Sequence, residues 1–344
     1  MGDGYAQKVV LEKQFSWGGG LKAFLGEKSL GNYIFWGVTA LLTILLIKES
    51  FSPSWMVHWS HPKWGTVNVA PVTGIGIGLL AGFMGGAVGA FISLFSIPLY
   101  TIWLGLPVKV ALGTNSMASA IIGLFAAWVH LQKKTPNMKV AIPMMVAGLL
   151  GAAVGAYISL GIPSKTLQLY FSVLVFLAAG SMIYRTLFPA KDEGAAWIKT
   201  EKKGFWIAEG AWLGQSYRTD IVTPGIGNFF IAIISGIVGV GGGFLFTPML
   251  HTAFGLPLVV AVGTGNFVKV ANIGSQFIVR GVAETVIYPL AIFAMAGGYC
   301  GARLGRRLSL AVNPKYLRIF FGIALIIIGL QYVGIKLTSF SLIP

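Results

Sequence analysis

Charge is scarce in this chain, and acidic charge is the scarcest. Only 10% of the 344 residues are charged, whereas soluble domains carry about 25%. All ten carboxylates lie outside the apolar stretches or at their ends: Asp3, Glu12, Glu27, Glu49, Asp192, Glu193, Glu201, Glu209, Asp220 and Glu284. Membrane cation carriers and carboxylate proton relays keep an acidic residue inside the helix bundle. The sequence therefore argues against a metal-cation transporter, a carboxylate-driven pump and a membrane enzyme. It predicts no catalytic residue, metal site or cofactor.

Cysteine and long polar stretches are also nearly missing. Cys300 is the single cysteine, which excludes an intramolecular disulfide. The composition is 56% hydrophobic, and apolar runs of about 20 residues, each long enough to span a bilayer, recur along the chain. These runs lack the polar–apolar alternation of a β-barrel. The sequence therefore predicts an all-α polytopic membrane protein with the lipid bilayer as a partner. We interpret the net charge of +15 as basic loops that set orientation, and we expect no nucleic acid partner.

Helical spans are expected near residues 31–47, 108–131, 138–160, 164–187, 258–279, 284–302 and 314–335. Two longer stretches, 71–104 and 225–254, are interrupted by glycines and by Pro98 or Pro248, which weaken a continuous helix. We interpret both as glycine-broken helical hairpins, either re-entrant or fully crossing. The expected domains are 1–70 (cytoplasmic tail, extra transmembrane helix and tryptophan-rich external loop), 71–187 (first membrane repeat), 188–224 (charged cytoplasmic linker) and 225–344 (second membrane repeat).

One block of 29 residues occurs twice, 150 positions apart. Gly86, Gly89, Pro98, Gly105-Leu106-Pro107 and Gly113-Thr114 recur as Gly236, Gly239, Pro248, Gly255-Leu256-Pro257 and Gly263-Thr264. A duplicated, glycine-interrupted apolar segment indicates a transporter built from two repeats.

The placement of basic residues predicts that the repeats are inverted. Lys133, Lys134 and Lys139 lie after the 108–131 span, whereas the corresponding loop of the second repeat holds Arg280 and Glu284, which we expect to cancel. In the second repeat the basic charge follows the next span instead. Because basic loops face the cytoplasm, equivalent loops fall on opposite sides of the membrane. This predicts inverted topology with the N-terminus cytoplasmic and the C-terminus external.

One cation is expected deep inside the membrane. Lys269 lies near the middle of the 258–279 span and shares a helix face with Asn272 and Gln276. A buried ionisable residue in a membrane span is a candidate functional residue, and a cation beside amide donors suits an oxyanion. The alternative is that Lys269 snorkels or pairs with backbone carbonyls. Its counterpart in the first repeat is Ser119.

The glycine cluster is the second candidate. Gly241, Gly242 and Gly243 could present backbone N–H groups to an anion, although close packing between membrane helices explains small residues equally well. Hydroxyl and amide groups near the cluster could add contacts. The predicted substrate-binding set is Lys269, Asn266, Asn272, Thr264, Asn115, Thr114, Gly241, Gly242 and Gly243.

The segment SGIVGVGGGFLFTPMLHTAFGLPLVVAVGTG, residues 235–265, resembles the TauE/SafE family of sulfite and organosulfonate exporters. It shares the glycine cluster, the proline that follows it, the Gly-Leu-Pro turn and the Ala-Val-Gly-Thr segment. The first copy, residues 82–115, is similar but has Phe91, Ile92 and Ser93 in place of the three glycines. The resemblance covers about residues 71–335, and the preceding span and the linker are expected to be additions.

The resemblance implies a multi-pass permease of the bacterial cytoplasmic membrane for sulfur-containing anions such as sulfite, thiosulfate or small sulfonates. The residues predict the same class of small anionic substrate, moved by alternating access between the repeats. A membrane scaffold or assembly protein with a non-transporting duplicated core is the alternative. The sequence leaves import or export, the coupling ion and a homo-oligomer open.

Overall fold

A computed structural model describes residues 57–62, 64–88, 92–187, 207–212, 215–311 and 314–333. The span expected at 31–47 lies outside these residues. The first half of the described chain contains β1 (Val57–His61), β2 (Gly65–Val69), α1 (Pro71–Val88), α2 (Ile92–Pro98) with a π-helical turn (Leu99–Trp103), α3 (Val108–Gln132), α4 (Met138–Gly161) and α5 (Ser164–Leu187).

The same order of elements follows 150 positions later. The second half contains β3 (Ile207–Trp212), β4 (Gln215–Asp220), α6 (Val222–Val238), α7 (Gly243–Pro248) with a π-helical turn (Met249–Ala253), α8 (Leu258–Val282), α9 (Tyr288–Ala311) and α10 (Pro314–Val333). Pro98 and Pro248 each continue the helix into a π-helical turn, so neither proline is itself the break.

Two short β-hairpins lie in segments that the sequence presented as loops. β1 pairs antiparallel with β2, and β3 pairs antiparallel with β4. The β3–β4 hairpin falls inside the segment expected to be a linker. Hairpins of five or six residues per strand are marginal by themselves and need packing against another element. Trp59 and Trp64 pack on the core near α3, and Trp212 and Tyr217 pack on the core near α4. The sequence of the hairpins alone does not indicate these core contacts.

The break between α6 and α7 is a glycine loop, defined here as residues 239–243. Gly239, Gly241 and Gly242 have φ values of +78°, +71° and +72°, a left-handed conformation that favours glycine over residues with a Cβ. A Cβ on Gly227 in α6 would lie 3.2 Å from Met249 Sδ. The chain after the loop therefore folds back along α6, and the two arms form a helical hairpin with the glycine loop at its tip.

The central helices α3 and α8 run antiparallel. Arg280, near the end of α8, donates from Nη1 to Ser116 Oγ near the start of α3, at 3.1 Å. At the opposite ends, the amide of Asn266 near the start of α8 donates to Nε2 of His130 near the end of α3, also at 3.1 Å. Equivalent helices of the two halves thus lie side by side in opposite directions.

Contacts between the halves are reciprocal. The backbone N–H of Asn137 donates to Thr264 Oγ1 at 3.0 Å, and the N–H of Ile287 donates to Thr114 Oγ1 at 3.1 Å. Each bond maps onto the other by the 150-residue offset. Reciprocal contacts of this kind characterise two-fold related units, because residue i meets residue j and j meets i.

Small residues let the helices of the two halves approach closely. A Cβ on Gly86 of α1 would overlap the backbone of Ala302 in α9, and a Cβ on Gly236 of α6 would lie 2.7 Å from the carbonyl of Ala152 in α4. Such small-residue contacts are typical of helices packed within membranes. Many glycines in the apolar runs are therefore required by packing.

Within the described residues, five helices are long and apolar enough to cross a membrane, by length and composition: Val108–Gln132, Met138–Gly161, Ser164–Tyr184, Leu258–Val282 and Tyr316–Val333. Their outward faces expose large apolar side chains such as Leu150, Leu177 and Phe320, as expected for surfaces in contact with lipid. The span expected at 284–302 is displaced, since α9 extends from Tyr288 to Ala311. The arginines that appeared to end the apolar run belong to the helix itself.

Candidate functional site

Lys269 lies in the interior beside the glycine loop. The residue is 7% exposed. Its Cδ atom is 3.0 Å from the position of a Cβ on Gly243, and its Cγ atom is 3.6 Å from the position of a Cβ on Gly241. Three residues of the predicted binding set therefore come together, and the absence of a Cβ on Gly243 leaves room for the lysine side chain.

Lys269 has no hydrogen bond or ion-pair partner among the residues that the structure describes. The three carboxylates within that part of the chain are occupied elsewhere. Glu209 pairs with Arg218 at 3.2 Å, and Glu284 pairs with His61 at 2.9 Å. Asp220 accepts from the backbone N–H groups of the first turn of α6. A buried charge without a counter-charge is strongly unfavourable, so this arrangement favours a bound anion.

The glycine loop carries backbone donors next to the lysine. No described group accepts from the N–H of Gly241, Gly242 or Gly243, although all three residues are buried. The loop carbonyl at Gly239 is already paired, since it accepts from Nδ2 of Asn115 at 3.1 Å. Through this bond Asn115, a member of the predicted set, holds the loop in place. The N–H groups of Gly241, Gly242 and Gly243 stay without described acceptors, and consecutive N–H groups in a glycine turn form anion-binding concavities.

Arg280 is a second buried cation at the same loop. The residue is 1% exposed, and the position of a Cβ on Gly239 lies 3.4 Å from its Nη1 atom. Its Nη2 atom donates to the carbonyl of Gly236 at 2.6 Å and to Ser159 Oγ at 3.4 Å. The expectation that Arg280 and Glu284 cancel in a loop is wrong, because Arg280 points into the core and Glu284 pairs with His61.

The missed arginine had a usable signal in the sequence. Arg280 follows Gln276 by four positions, and Gln276 follows Lys269 by seven, so all three fall on one face of a helix. The expected span stopped at residue 279, whereas α8 continues to Val282. One more residue of helix would have moved Arg280 from the loop to the lysine face.

Gln276 lies between the two cations on that face of α8. It is fully buried, and its Oε1 atom accepts from Arg280 Nη1 at 3.2 Å. Its Nε2 atom has no hydrogen-bond partner. Because Oε1 is fixed by the arginine donor, the amide keeps its NH₂ group directed away from Arg280. The lysine face therefore offers an additional donor without an acceptor.

The other predicted residues are engaged elsewhere. Thr114 and Thr264 accept the reciprocal interhalf bonds described above, and Asn266 bonds to His130. Asn272 donates to Asn228 Oδ1 at 3.3 Å, although its own Oδ1 has no partner. None of these four shows a described contact with the glycine loop.

The first half carries hydroxyl groups where the second half carries the lysine. Ser119 takes the position of Lys269 and lies 3.3 Å from Ser93, measured between the Oγ atoms. Ser96 donates to Asn115 Oδ1 at 2.5 Å. Ser96, Asn115 and Ser119 line a small, partly open cavity of about 10 Å³, which is room for about one water molecule. The two halves share a scaffold and differ in charge.

The chemistry of the glycine-loop site matches an anion better than a metal. The site combines Lys269, Arg280, Gln276 and the loop N–H groups, which are all donors. Within the described residues no group of three or more His, Cys, Asp or Glu side chains could hold a metal ion.

A family model described as sulfite exporter TauE/SafE matches residues 28–332. The match extends across the region of the first expected span and the segment between the halves. No solved structure matches the chain.

Curated relatives are named as transporters. The chain is 23% identical over 266 residues to a probable membrane transporter protein of Bacillus subtilis, YunE, covering 75% of this chain and 95% of the relative. It is 25% identical over 265 residues to a probable membrane transporter protein of Xylella fastidiosa, covering 75% of this chain and 93% of the relative. Together with the apolar helices, these matches identify a multi-pass membrane protein of a transporter family.

Proposed function

Because the chain belongs to the sulfite exporter TauE/SafE family, we propose that it is a secondary transporter. Its substrate is a small sulfur-containing anion such as sulfite, thiosulfate or an organosulfonate, carried across the bacterial cytoplasmic membrane. The family description and the names of the relatives support transport. The donor-only composition of the glycine-loop site supports an anion.

The observation that carries this proposal is the pairing of Lys269 with the glycine loop. The lysine is buried and lacks a partner among the described residues, and three buried N–H groups of Gly241–Gly243 are equally without acceptors. An anion between them satisfies both groups at once. Charge-assisted hydrogen bonds of this kind are short and about twice as strong as neutral ones.

Transport proceeds by alternating access between two inverted repeats. The antiparallel pairing of α3 with α8 supports inversion, as does the reciprocity of the contacts between the halves. The exposed Lys133, Lys134 and Lys139 then lie on the cytoplasmic side. This orientation leaves the N-terminus inside and the C-terminus outside, and reporter fusions after Pro344 test it: a cytoplasmic reporter signal contradicts the inverted topology.

The test of function is tracer flux of thiosulfate into vesicles that contain the purified protein. Lys269→Gln removes the charge at similar length and should reduce flux at least about 100-fold, because a buried ion loses its counter-charge. Lys139→Gln is the matched control, since Lys139 is exposed at the start of α4, and it should keep wild-type flux.

Wild-type flux in correctly folded Lys269→Gln protein removes Lys269 from the site. Absence of anion flux in the wild-type protein, together with copurification of a stoichiometric partner, instead favours the scaffold alternative.

A further inference from the structure

We infer that Arg280 makes the glycine-loop site selective for doubly charged over singly charged anions. The inference rests on the proposed function and adds the charge of the substrate to it. It follows from the number of buried charges, their common position at one loop and the orientation of Gln276.

Arg280 is a buried cation whose described hydrogen-bond partners are all neutral. Its four described hydrogen bonds go to Ser116, Gln276, Ser159 and the carbonyl of Gly236. All four acceptors are neutral oxygens. The bond to Gly236, near the C-terminal end of α6, places the cation at the negative end of that helix, which compensates only about half an elementary charge. The guanidinium is therefore well bonded but is not neutralised by a described carboxylate.

Both cations border the same glycine loop. Lys269 borders the loop at Gly241 and Gly243, and Arg280 borders it at Gly239. Neither cation has a carboxylate partner among the described residues. The loop thus borders two buried positive charges, and a dianion bound there balances both. A monoanion leaves one charge uncompensated in a poorly hydrated interior, which is unfavourable.

Arg280 also fixes the orientation of the Gln276 amide. An amide can present either its oxygen or its NH₂ group to a ligand. The bond from Arg280 Nη1 holds the oxygen, so the unpartnered Nε2 is left to donate. Arg280 therefore acts as a positioning residue, because it leaves the NH₂ group of Gln276 to donate to an anion oxygen. It also contributes its own positive charge.

The size of the effect follows from electrostatics. At an effective dielectric constant of about 20, a unit charge about 10 Å away changes the binding of each ligand charge by about tenfold. Loss of one cation should therefore weaken a dianion about 100-fold and a monoanion about tenfold. The ratio of dianion to monoanion affinity is expected to fall about tenfold.

The experiment measures inhibition of thiosulfate tracer flux in vesicles by two unlabelled anions at one pH: sulfate, which is divalent, and methanesulfonate, which is monovalent. Arg280→Gln should reduce the sulfate-to-methanesulfonate affinity ratio about tenfold. Arg280→Lys keeps the charge and should retain most of the ratio, even where lost hydrogen bonds lower the amount of folded protein. Ser275→Ala is a control on α8, since Ser275 bonds to the carbonyl of Leu149 in α4 instead.

Arg280 bridges several helices, so Gln276→Glu provides a variant that keeps those bonds. Its carboxylate still accepts from Arg280, but it removes the Nε2 donor and adds a negative charge. We expect the affinity ratio to fall in this variant as well. An unchanged ratio in folded Gln276→Glu and in folded Arg280→Gln overturns the inference.

Failure of the inference is separable from failure of the proposed function. A wild-type protein that transports thiosulfate but binds sulfate and methanesulfonate equally well contradicts only the role of Arg280. A wild-type protein that shows no thiosulfate flux contradicts the proposed function and, with it, the inference that rests on it.

Discussion

Substitution of Gly241 by alanine tests the placement of the glycine loop against α8. The residue has φ +71°, and an L-residue in this left-handed region costs roughly 1–2 kcal/mol. The added Cβ would also come closer than 3.0 Å to two carbons of Ile273. Overpacking of this kind costs typically 1–3 kcal/mol. The free energy of unfolding should therefore fall by about 2–5 kcal/mol.

Gly105 provides the matched control. It also has a positive φ, +61°, but nothing lies within 4 Å of the position of its Cβ. Gly105→Ala should lower the free energy of unfolding only by the cost of the left-handed backbone, about 1–2 kcal/mol. The difference between the stability losses of the two alanine variants then measures the cost of the contact between the loop and α8.

A double-mutant cycle identifies the contact partner. Ile273→Ala removes both carbons that the new Cβ would strike, so Gly241→Ala should cost only about 1–2 kcal/mol in that background. The expected coupling energy is about 1–3 kcal/mol, in the range measured for residues in contact. The assay is reversible unfolding in mixed micelles, followed by tryptophan fluorescence.

Two results would refute the reasoning. One is an equal loss of stability in Gly241→Ala and Gly105→Ala. The other is additivity of Gly241→Ala and Ile273→Ala, which would mean that the loop does not rest on Ile273. Thiosulfate flux per folded molecule should also fall in Gly241→Ala, because the displaced loop no longer borders Lys269.

Further predictions concern the symmetry of the two halves. Thr114→Val should lower stability by about 1–3 kcal/mol, because it leaves the buried N–H of Ile287 without its acceptor. Thr264→Val should cost less, because the N–H of Asn137 is only partly buried; a larger loss for Thr264→Val in the same unfolding assay would contradict this expectation. Lys134 and Glu284 occupy equivalent positions with φ +52° and +55°. Lys134→Gly should raise the unfolding midpoint, because glycine relieves about 1 kcal/mol of strain. Glu284→Gly should gain less, because it also loses the hydrogen bond between Glu284 and His61, and a larger gain for Glu284→Gly would argue against that bond.

Much of the architecture was predictable from periodicity and composition. The expected span 164–187 coincides with α5, and the expected spans at 108, 138 and 258 begin where α3, α4 and α8 begin. These helices are long and apolar, so local composition determines them. The glycine-broken stretch at 225–254 was also identifiable, because three glycines in a row at Gly241–Gly243 disfavour an uninterrupted helix.

Features that depend on packing were harder to predict. The two β-hairpins are stabilised by core contacts of Trp64 and Tyr217 with helices distant in sequence. Arg280 looked like a loop residue because charge usually ends a membrane span, yet polar oxygens from α3, α4 and α6 surround it. Nothing in the local sequence around residue 280 shows those acceptors.

The sequence by itself determined the class of protein, the duplication and the depth of Lys269, because hydrophobic length, internal identity and the position of a charge in an apolar run are local properties. Only the tertiary structure decided which groups meet that lysine. It placed the glycine loop and Arg280 on the same face of α8 and engaged Thr114, Thr264 and Asn266 in contacts between the halves. A binding site depends on distances between helices, and those distances are set by the close packing of small residues across the two halves.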